Sequence, residues 1–99
     1  MKIKLEDKIL DYQKKEILSD GKNPLLIRDI ISASLNNTTQ DERLTSEQKN
    51  KIFQLSVKVW SDKEVDFTLD DRHFIKERAG KILNPLMYGR LCEILEEKK

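Results

Sequence analysis

The chain has few of the residues on which disulfide-stabilised and metal-binding proteins depend. Its 99 residues include one cysteine, Cys92, so no disulfide can form within the chain. The one histidine, His73, and Cys92 together are too few for a zinc site, which needs three or four convergent ligands. We therefore expect no bound metal, and we expect Cys92 to act as a small apolar residue in a helix.

Long apolar segments are missing as well. The longest uninterrupted apolar run has three residues, as in Leu25-Leu26-Ile27, whereas a membrane-spanning helix needs about 20. The N-terminal segment Met1–Asp7 lacks the apolar centre of a secretory signal peptide. These absences predict a protein of a reducing, soluble compartment such as the cytoplasm.

Motifs of common catalytic sites are also lacking. The three glycines, Gly21, Gly80 and Gly89, form no phosphate-binding loop, and no serine lies in a nucleophile elbow. The acidic stretch 62–71 lacks the spacing and the central glycine of a calcium-binding EF-hand loop. His73 follows carboxylates at a predicted helix start, and we interpret it as a partly exposed histidine rather than a general base. We expect no catalysis and no cofactor.

The charges are nearly balanced, with 19 basic and 18 acidic residues and a formal net charge of +1. A protein dedicated to nucleic acid usually carries a strong basic excess. Two predicted helices on either side of Pro85 could form a helix-turn-helix, and both carry basic residues. These residues are Arg72, Lys76, Arg78, Lys81 and Arg90. Because the second helix continues with glutamates that would repel phosphates, we expect Arg72, Lys76 and Lys81 to form local ion pairs with Asp71 and Glu77 instead.

Hydrophobic periodicity and helix start signals predict four helices, over residues 24–36, 46–61, 69–83 and 85–97. Proline is favoured at the first helical position, which indicates starts at Pro24 and Pro85. Capping boxes, in which a hydroxyl and a side chain three residues later satisfy the first N–H groups, open the other two at Thr45 and Thr68. The polar segment 38–43 predicts an exposed, mobile loop.

The second predicted helix carries a wide apolar stripe, with its lysines mostly on the opposite face. The stripe consists of Ile52, Phe53, Leu55, Ser56, Val59 and Trp60. We expect this stripe to face the core. The segment 63–67 that follows is predicted to be a short extended link, with Val65 and Phe67 on the same side.

A strand pair is predicted within residues 1–18. Apolar and polar residues alternate from Ile3 onward, which is the periodicity of a strand. The segments 9–12 and 16–18 then flank Gln13–Lys15, which would be the hairpin loop. A helix through the same residues is the alternative, because lysine, glutamate and glutamine also favour helices.

These elements predict one domain over residues 1–99 of the α+β class, mostly helical, in which an N-terminal β-hairpin precedes about four helices. A chain of this length can bury one modest core. No disulfide is needed in such an arrangement, in keeping with the single cysteine.

Partner-binding residues are sought among exposed aromatic and arginine side chains, which are enriched at interface hot spots. Tyr88 lies off the apolar stripe of the last predicted helix, and Arg90 and Trp60 are the other candidates. The alternative for Tyr88 and Trp60 is that both complete the core. Gly80 and Gly89 lie in the helices on either side of the proline break, where they favour close approach of two helices or of a partner's backbone.

The later part of the chain contains, in order, the segments Val65–Asp71, Ile75–Lys81 and Pro85–Leu91. These segments resemble the "DLT…, IKERVGK…, PLVYGQ…" arrangement at the ends of small uncharacterised proteins encoded by tailed bacteriophages and prophages. The segment Ile9–Ile17, followed by Pro24-Leu25 and a helix, is similar to their opening hairpin. This chain has Gln13–Lys15 where those proteins have an Asp-Gly turn.

The resemblance implies a phage or prophage origin and a place in the cytoplasm of a bacterial host cell or in the virion. It carries over no functional residues. It favours a role in virion assembly, as a tail, neck or head component or a chaperone for one, or alternatively a host-directed factor that binds a bacterial protein. An assembly role would predict self-association through an apolar patch on the last helix. A nucleic-acid-binding regulator is the third hypothesis.

Overall fold

The structure is a computed structural model that describes residues 2–18, 21–40 and 42–96. Within these residues the chain forms four helices and one pair of short strands. In chain order they are β1 (Ile3–Lys4), α1 (Ile27–Asn36), α2 (Ser46–Ser61), β2 (Glu64–Val65), α3 (Leu69–Ile82) and α4 (Pro85–Glu96). The predicted α+β, mostly helical class is confirmed.

Helix α1 is the centre of the domain and packs against α2, α3 and α4. Its buried residues recur with the helical period and face the core, as do apolar residues from every other element. The largest fully buried apolar side chains are Leu5, Ile9, Ile31, Leu35, Val59, Ile75, Leu91 and Leu95. Burial of one such side chain contributes about 1.5–3 kcal/mol, so the core is the main source of stability.

Strand β1 pairs with a strand that lies far along the chain. It runs antiparallel to β2, with Ile3 opposite Val65, so this strand finds its partner outside residues 1–18. The pairing places both residues over the core, where both are buried. The segment 63–67 is extended as predicted, and Phe67 is buried on the same side as Val65.

The predicted hairpin is present, and a third segment joins it. An antiparallel bridge connects Leu10 with Glu16, which excludes the alternative helix over these residues. Ile9, Ile17 and Leu25, which are spaced eight positions apart, are joined by three backbone hydrogen bonds that form a closed ring. The N–H of Ile9 donates to Leu25 O (2.8 Å), that of Leu25 to Ile17 O (2.6 Å), and that of Ile17 to Ile9 O (3.2 Å). The N–H and C=O groups of these three residues are hydrogen-bonded within the chain, so they are not available to pair with another sheet.

The first helix begins at Ile27, so the predicted start at Pro24 is wrong. The N–H of Leu25 belongs to the ring described above, which keeps the backbone extended there. Leu26 is the N-cap residue, with φ −101° and ψ 158°. The carboxylate of Asp29 accepts the N–H of Leu26 at 3.0 Å, which satisfies a donor just before the helix.

The other helices begin where their local signals predict. Thr45 accepts the N–H of Gln48 at 3.1 Å, and the Gln48 side chain accepts the N–H of Thr45 at 2.9 Å. The same reciprocal pair of bonds opens α3 at Thr68. Helix α3 ends at Ile82, one residue before the predicted end, and the predicted end of α4 at residue 97 lies outside the described residues.

Candidate protein-binding surface

Helix α2 carries two apolar faces, and one of them lies on the surface. The inner face, with Ile52 and Val59, is buried as predicted. The outer face consists of Phe53, Val57 and Trp60, whose exposed fractions are 67%, 47% and 56%. These three residues follow at i, i+4 and i+7, the spacing of a single helix face. We call them the α2 outer stripe. The prediction that Phe53 and Trp60 face the core is wrong.

The ring of Trp60 is held in place by contacts with α1. Its Nε1–H donates to the Ser32 hydroxyl at 3.1 Å. The guanidinium carbon of Arg28 lies 5.5 Å from the ring centroid, within the range of a cation–π interaction. Because the ring is fixed on one side and exposed on the other, a partner would lose little side-chain entropy by binding it.

The border of the α2 outer stripe is polar along its length and cationic at its ends. Beside Phe53 and Val57, Ser56 accepts a hydrogen bond from the Asn36 side chain at 3.1 Å. Lys49 is exposed one helical turn before Phe53 and shares its face. Arg28 lies at the other end, against Trp60. An apolar centre with a polar rim is the usual anatomy of a protein interface.

Tyr88, the first predicted partner residue, lies in a groove between α3 and α4. It is 36% exposed, and its Cε1 would lie 3.6 Å from a Cβ added at Gly80. This is ordinary van der Waals distance, so a methyl group would fit at Gly80 and the packing of α3 on α4 does not require a glycine there. A hydrogen bond with half-buried Cys92 is the largest cause that raises the pKa of the Tyr88 phenol, and Lys76 opposes the shift.

Arg90, the second candidate, is occupied within the fold. Its Nε donates to Leu10 O at 2.9 Å and one terminal nitrogen donates to Asp11 O at 2.6 Å. The other terminal nitrogen pairs with Glu93 at 3.3 Å. Arg90 therefore ties α4 to the hairpin. The three candidates contact different parts of the fold and form no common site. Tyr88 contacts α3, Arg90 contacts the hairpin, and Trp60 contacts α1.

Three further arginines bind the C-terminal ends of helices. Carbonyl groups at such ends lack partners within their own helix, and the helix dipole makes them attract cations. These bonds run from Arg28 to Val59 O (2.7 Å) and Asp62 O (2.5 Å), from Arg72 to Leu95 O (3.2 Å), and from Arg78 to Asn37 O. The arginines thus connect α1 to α2, α3 to α4 and α3 to α1. Because the guanidinium groups of Arg72 and Arg78 are directed to the backbone, these two residues add less to the basic surface that the sequence indicated.

The ion pairs formed by Lys76, Asp71 and Lys81 join separate elements of the fold. Lys76 pairs with Glu96, Asp71 with Lys51 at 3.6 Å, and Arg78 and Lys81 with Glu42. Glu42 belongs to the segment predicted to be an exposed, mobile loop, but its side chain is largely buried. The hydrogen bond from Arg78 is the largest of the causes that lower the pKa of Glu42. The prediction for Glu42 is therefore wrong.

The part of the chain that the structure describes contains neither a cluster of metal ligands nor a membrane-spanning helix. No group of three or more histidine, cysteine, aspartate and glutamate side chains there could hold a metal ion. Over the same ranges, no helix combines the length and apolar content that a bilayer requires. In comparisons with protein-family models, curated proteins and solved structures, nothing matches this chain.

Phe53 and Val57 are the residues of the α2 outer stripe that the sequence interpretation did not place on the surface. The signal was present, because residues 53, 57 and 60 form one stripe and residues 52, 55 and 59 form another. A helix on the surface of a small domain turns one narrow face to the core. Because α2 has two adjacent apolar stripes and only one of them can face the core, the other is expected at the surface.

Proposed function

We propose that this chain is a phage-type accessory protein that acts by protein–protein contact, without catalysis, in virion assembly. In this role it would be a component of a tail, neck or head, or a chaperone for one. The observation that carries the proposal is the α2 outer stripe. Large apolar side chains clustered on a surface, rimmed by polar groups, mark interaction sites.

The chemistry of the stripe supports a binding role. Tryptophan and phenylalanine are enriched in the centres of interfaces, and tryptophan is among the residues that most often dominate binding energy. Trp60 is already oriented by Ser32 and Arg28. A surface that is organised before binding keeps more of its interaction energy as affinity.

The link to phages rests on the resemblance of the segments between Val65 and Leu91 to small phage and prophage proteins. Those segments form β2, α3 and α4, and none of their residues belongs to the α2 outer stripe. The resemblance thus supports the origin and the scaffold, and the stripe supports the mode of action.

A host-directed factor that binds a bacterial protein is the second candidate function. One observation favours it: the α2 outer stripe is exposed, whereas on α4 Leu91 and Leu95 are buried. The patch on the last helix that self-assembly would use is therefore not where it was expected. A single stripe on one helix suits a one-to-one complex with another protein.

Nucleic-acid binding remains the third hypothesis. The arginines that would supply it, such as Arg72, Arg78 and Arg90, donate to backbone carbonyl groups instead. If a complex with DNA forms, its affinity should fall steeply between low and moderate salt, because phosphate contacts release counterions. A complex that is insensitive to salt would contradict this hypothesis.

The test compares the immobilised protein with its Phe53→Ser variant as baits. Each bait is incubated with extracts of phage-infected and uninfected bacterial cells, and the bound proteins are identified by mass spectrometry. A virion protein captured only from infected cells, and lost with Phe53→Ser, would support virion assembly. A host protein with the same dependence would favour the second candidate.

The control bait is Leu69→Ser, which removes a leucine that is 61% exposed at the start of α3 and leaves α2 intact. It should retain the partner. Capture that is equal for the unmodified protein and both variants would contradict the assignment of the α2 outer stripe. Absence of any captured protein from either extract would contradict the proposed mode of action.

A further inference from the structure

Two cationic side chains lie beside the α2 outer stripe. Lys49 lies on the same face of α2 as the stripe, one turn before Phe53 at the N-terminal end. Arg28 lies over Trp60 at the C-terminal end. The apolar surface is thus bordered by a cation at each end.

This arrangement disfavours a second copy of the chain as the occupant. In a two-fold symmetric dimer the same surface meets itself. If two α2 helices pack antiparallel about Val57, Lys49 of one copy approaches the end at which Arg28 of the other lies. If they pack parallel, Lys49 approaches Lys49. Both orientations bring like charges together in an interface, which is unfavourable.

The length of the stripe indicates the size of the segment that would cover it. From Phe53 to Trp60 the helix rises by about 10 Å, or two turns. An amphipathic helix of a partner covers such a surface with apolar residues at i, i+4 and i+7. We propose that the α2 outer stripe binds an amphipathic helix of another protein whose apolar face is flanked by acidic residues. This inference rests on the proposed function and specifies the chemistry of the partner.

Two synthetic helical peptides provide the probe. Both carry the same leucines at i, i+4 and i+7, and they differ only in flanking residues, which are glutamate in one and lysine in the other. Trp60 is the only tryptophan of the chain, so its emission reports directly on coverage of the stripe. Titrations at about 0.15 M salt, where the Debye length is about 8 Å, restrict the charge effect to nearby groups.

We expect the glutamate peptide to shift the Trp60 emission and to bind about ten-fold more tightly than the lysine peptide, as two favourable ion pairs allow. Lys49→Glu should reduce this preference several-fold. Lys58→Glu is the matched control, because Lys58 is an exposed lysine of α2 on a different face from Phe53 and Val57, and it should leave the preference unchanged.

Several results would overturn the inference, and they differ in what they mean for the proposed function. If both peptides bind equally and Phe53→Ser abolishes binding, the acidic chemistry is wrong but the docking surface stands. If neither binds and light scattering shows a dimer that Phe53→Ser dissociates, the occupant is a second copy. If neither binds and the protein is a monomer, the inference is wrong, and the capture experiment separately decides the proposed function.

Discussion

Arg78 of α3 and Glu42 of the loop after α1 form a partly buried ion pair, although 36 positions separate them in the sequence. The same guanidinium donates to Asn37 O at the end of α1. Glu42 also accepts from Lys81 at 3.3 Å. Arg78 thus connects the end of α1 to the loop that follows it. Its bonds to Glu42 and to Asn37 O hold this loop against α3.

The first prediction concerns the pH dependence of this pair. The pKa of Glu42 lies below its ordinary value of 4.5, mainly because Arg78 donates a hydrogen bond to the carboxylate. A carboxyl group whose pKa is lowered by folding adds stability above its unfolded pKa. That contribution is lost as the pH falls below about 4.5 and through the folded pKa. Glu42→Gln should therefore lower the melting temperature at pH 7 and have a smaller effect at pH 3.

The measurement is thermal unfolding of both proteins, followed by circular dichroism between pH 3 and pH 7. Glu47→Gln is the control, because Glu47 is exposed at the first turn of α2 and its loss removes no interior pair. A difference between the unmodified protein and Glu42→Gln that stays constant from pH 7 to pH 3 would contradict the role of the ionised carboxylate.

The second prediction concerns the hairpin turn. Lys14 has φ +64°, a left-handed conformation that glycine adopts more readily than lysine. The turn forms nevertheless, because the Asp11 carboxylate accepts the N–H groups of Gln13 at 2.8 Å and Lys15 at 3.0 Å. We expect Lys14→Gly to stabilise the protein by about 0.5–1 kcal/mol in denaturant unfolding.

Lys15→Gly is the matched control for the turn. The backbone of Lys15 does not have a positive φ, so glycine there gains nothing and should destabilise the protein by about 0.5–1 kcal/mol. Opposite signs for the two glycine variants would establish the turn conformation. Destabilisation by Lys14→Gly would show that the turn differs from the one described here.

Local signals in the sequence were sufficient where no distant group competed for the backbone. Helix α2 has the predicted bounds because the bonds between Thr45 and Gln48 span only three positions. Pro24 is an equally strong local signal, yet α1 begins at Ile27 because the N–H of Leu25 bonds to a carbonyl elsewhere in the chain. Such competition is decided by tertiary structure, which a local pattern does not contain.

The candidate surface was predicted only in part for a similar reason. Trp60 was recognised by its residue type, but its exposure depends on which face of α2 turns to α1. Arg90 was recognised in the same way, and its bonds to Leu10 and Asp11 span about eighty positions of the chain. Residue type indicates what a side chain can do, whereas its partners follow from the packing of distant elements.

The third prediction separates the two faces of α2. Leu55→Ala removes buried methyl groups and should destabilise the protein by about 2–5 kcal/mol. Phe53→Ser acts on an exposed side chain in the same helix and should change stability by only about 0.5 kcal/mol. Urea unfolding measures both changes. A loss of several kcal/mol in Phe53→Ser would mean that the α2 outer stripe is part of the core.

The fourth prediction tests whether Arg90 holds the hairpin against α4 or is free for a partner. Arg90→Met keeps the length of the side chain and removes its hydrogen bonds to Leu10 O and Asp11 O. Hydrogen bonds to a charged group contribute about 1.5–3 kcal/mol. We therefore expect a loss of about 2 kcal/mol and faster amide hydrogen exchange at Ile9 and Ile17, whose N–H groups lie in the attached ring.

Arg43→Met serves as the reference for Arg90→Met, because Arg43 is an exposed arginine outside the helices. It should change stability by no more than about 0.5 kcal/mol and leave exchange in the hairpin unaltered. Equal, small effects of both substitutions would mean that the Arg90 contacts add nothing to the fold. Its positive charge would then be available at the surface, and Arg90 would again be a candidate for contact with a partner protein.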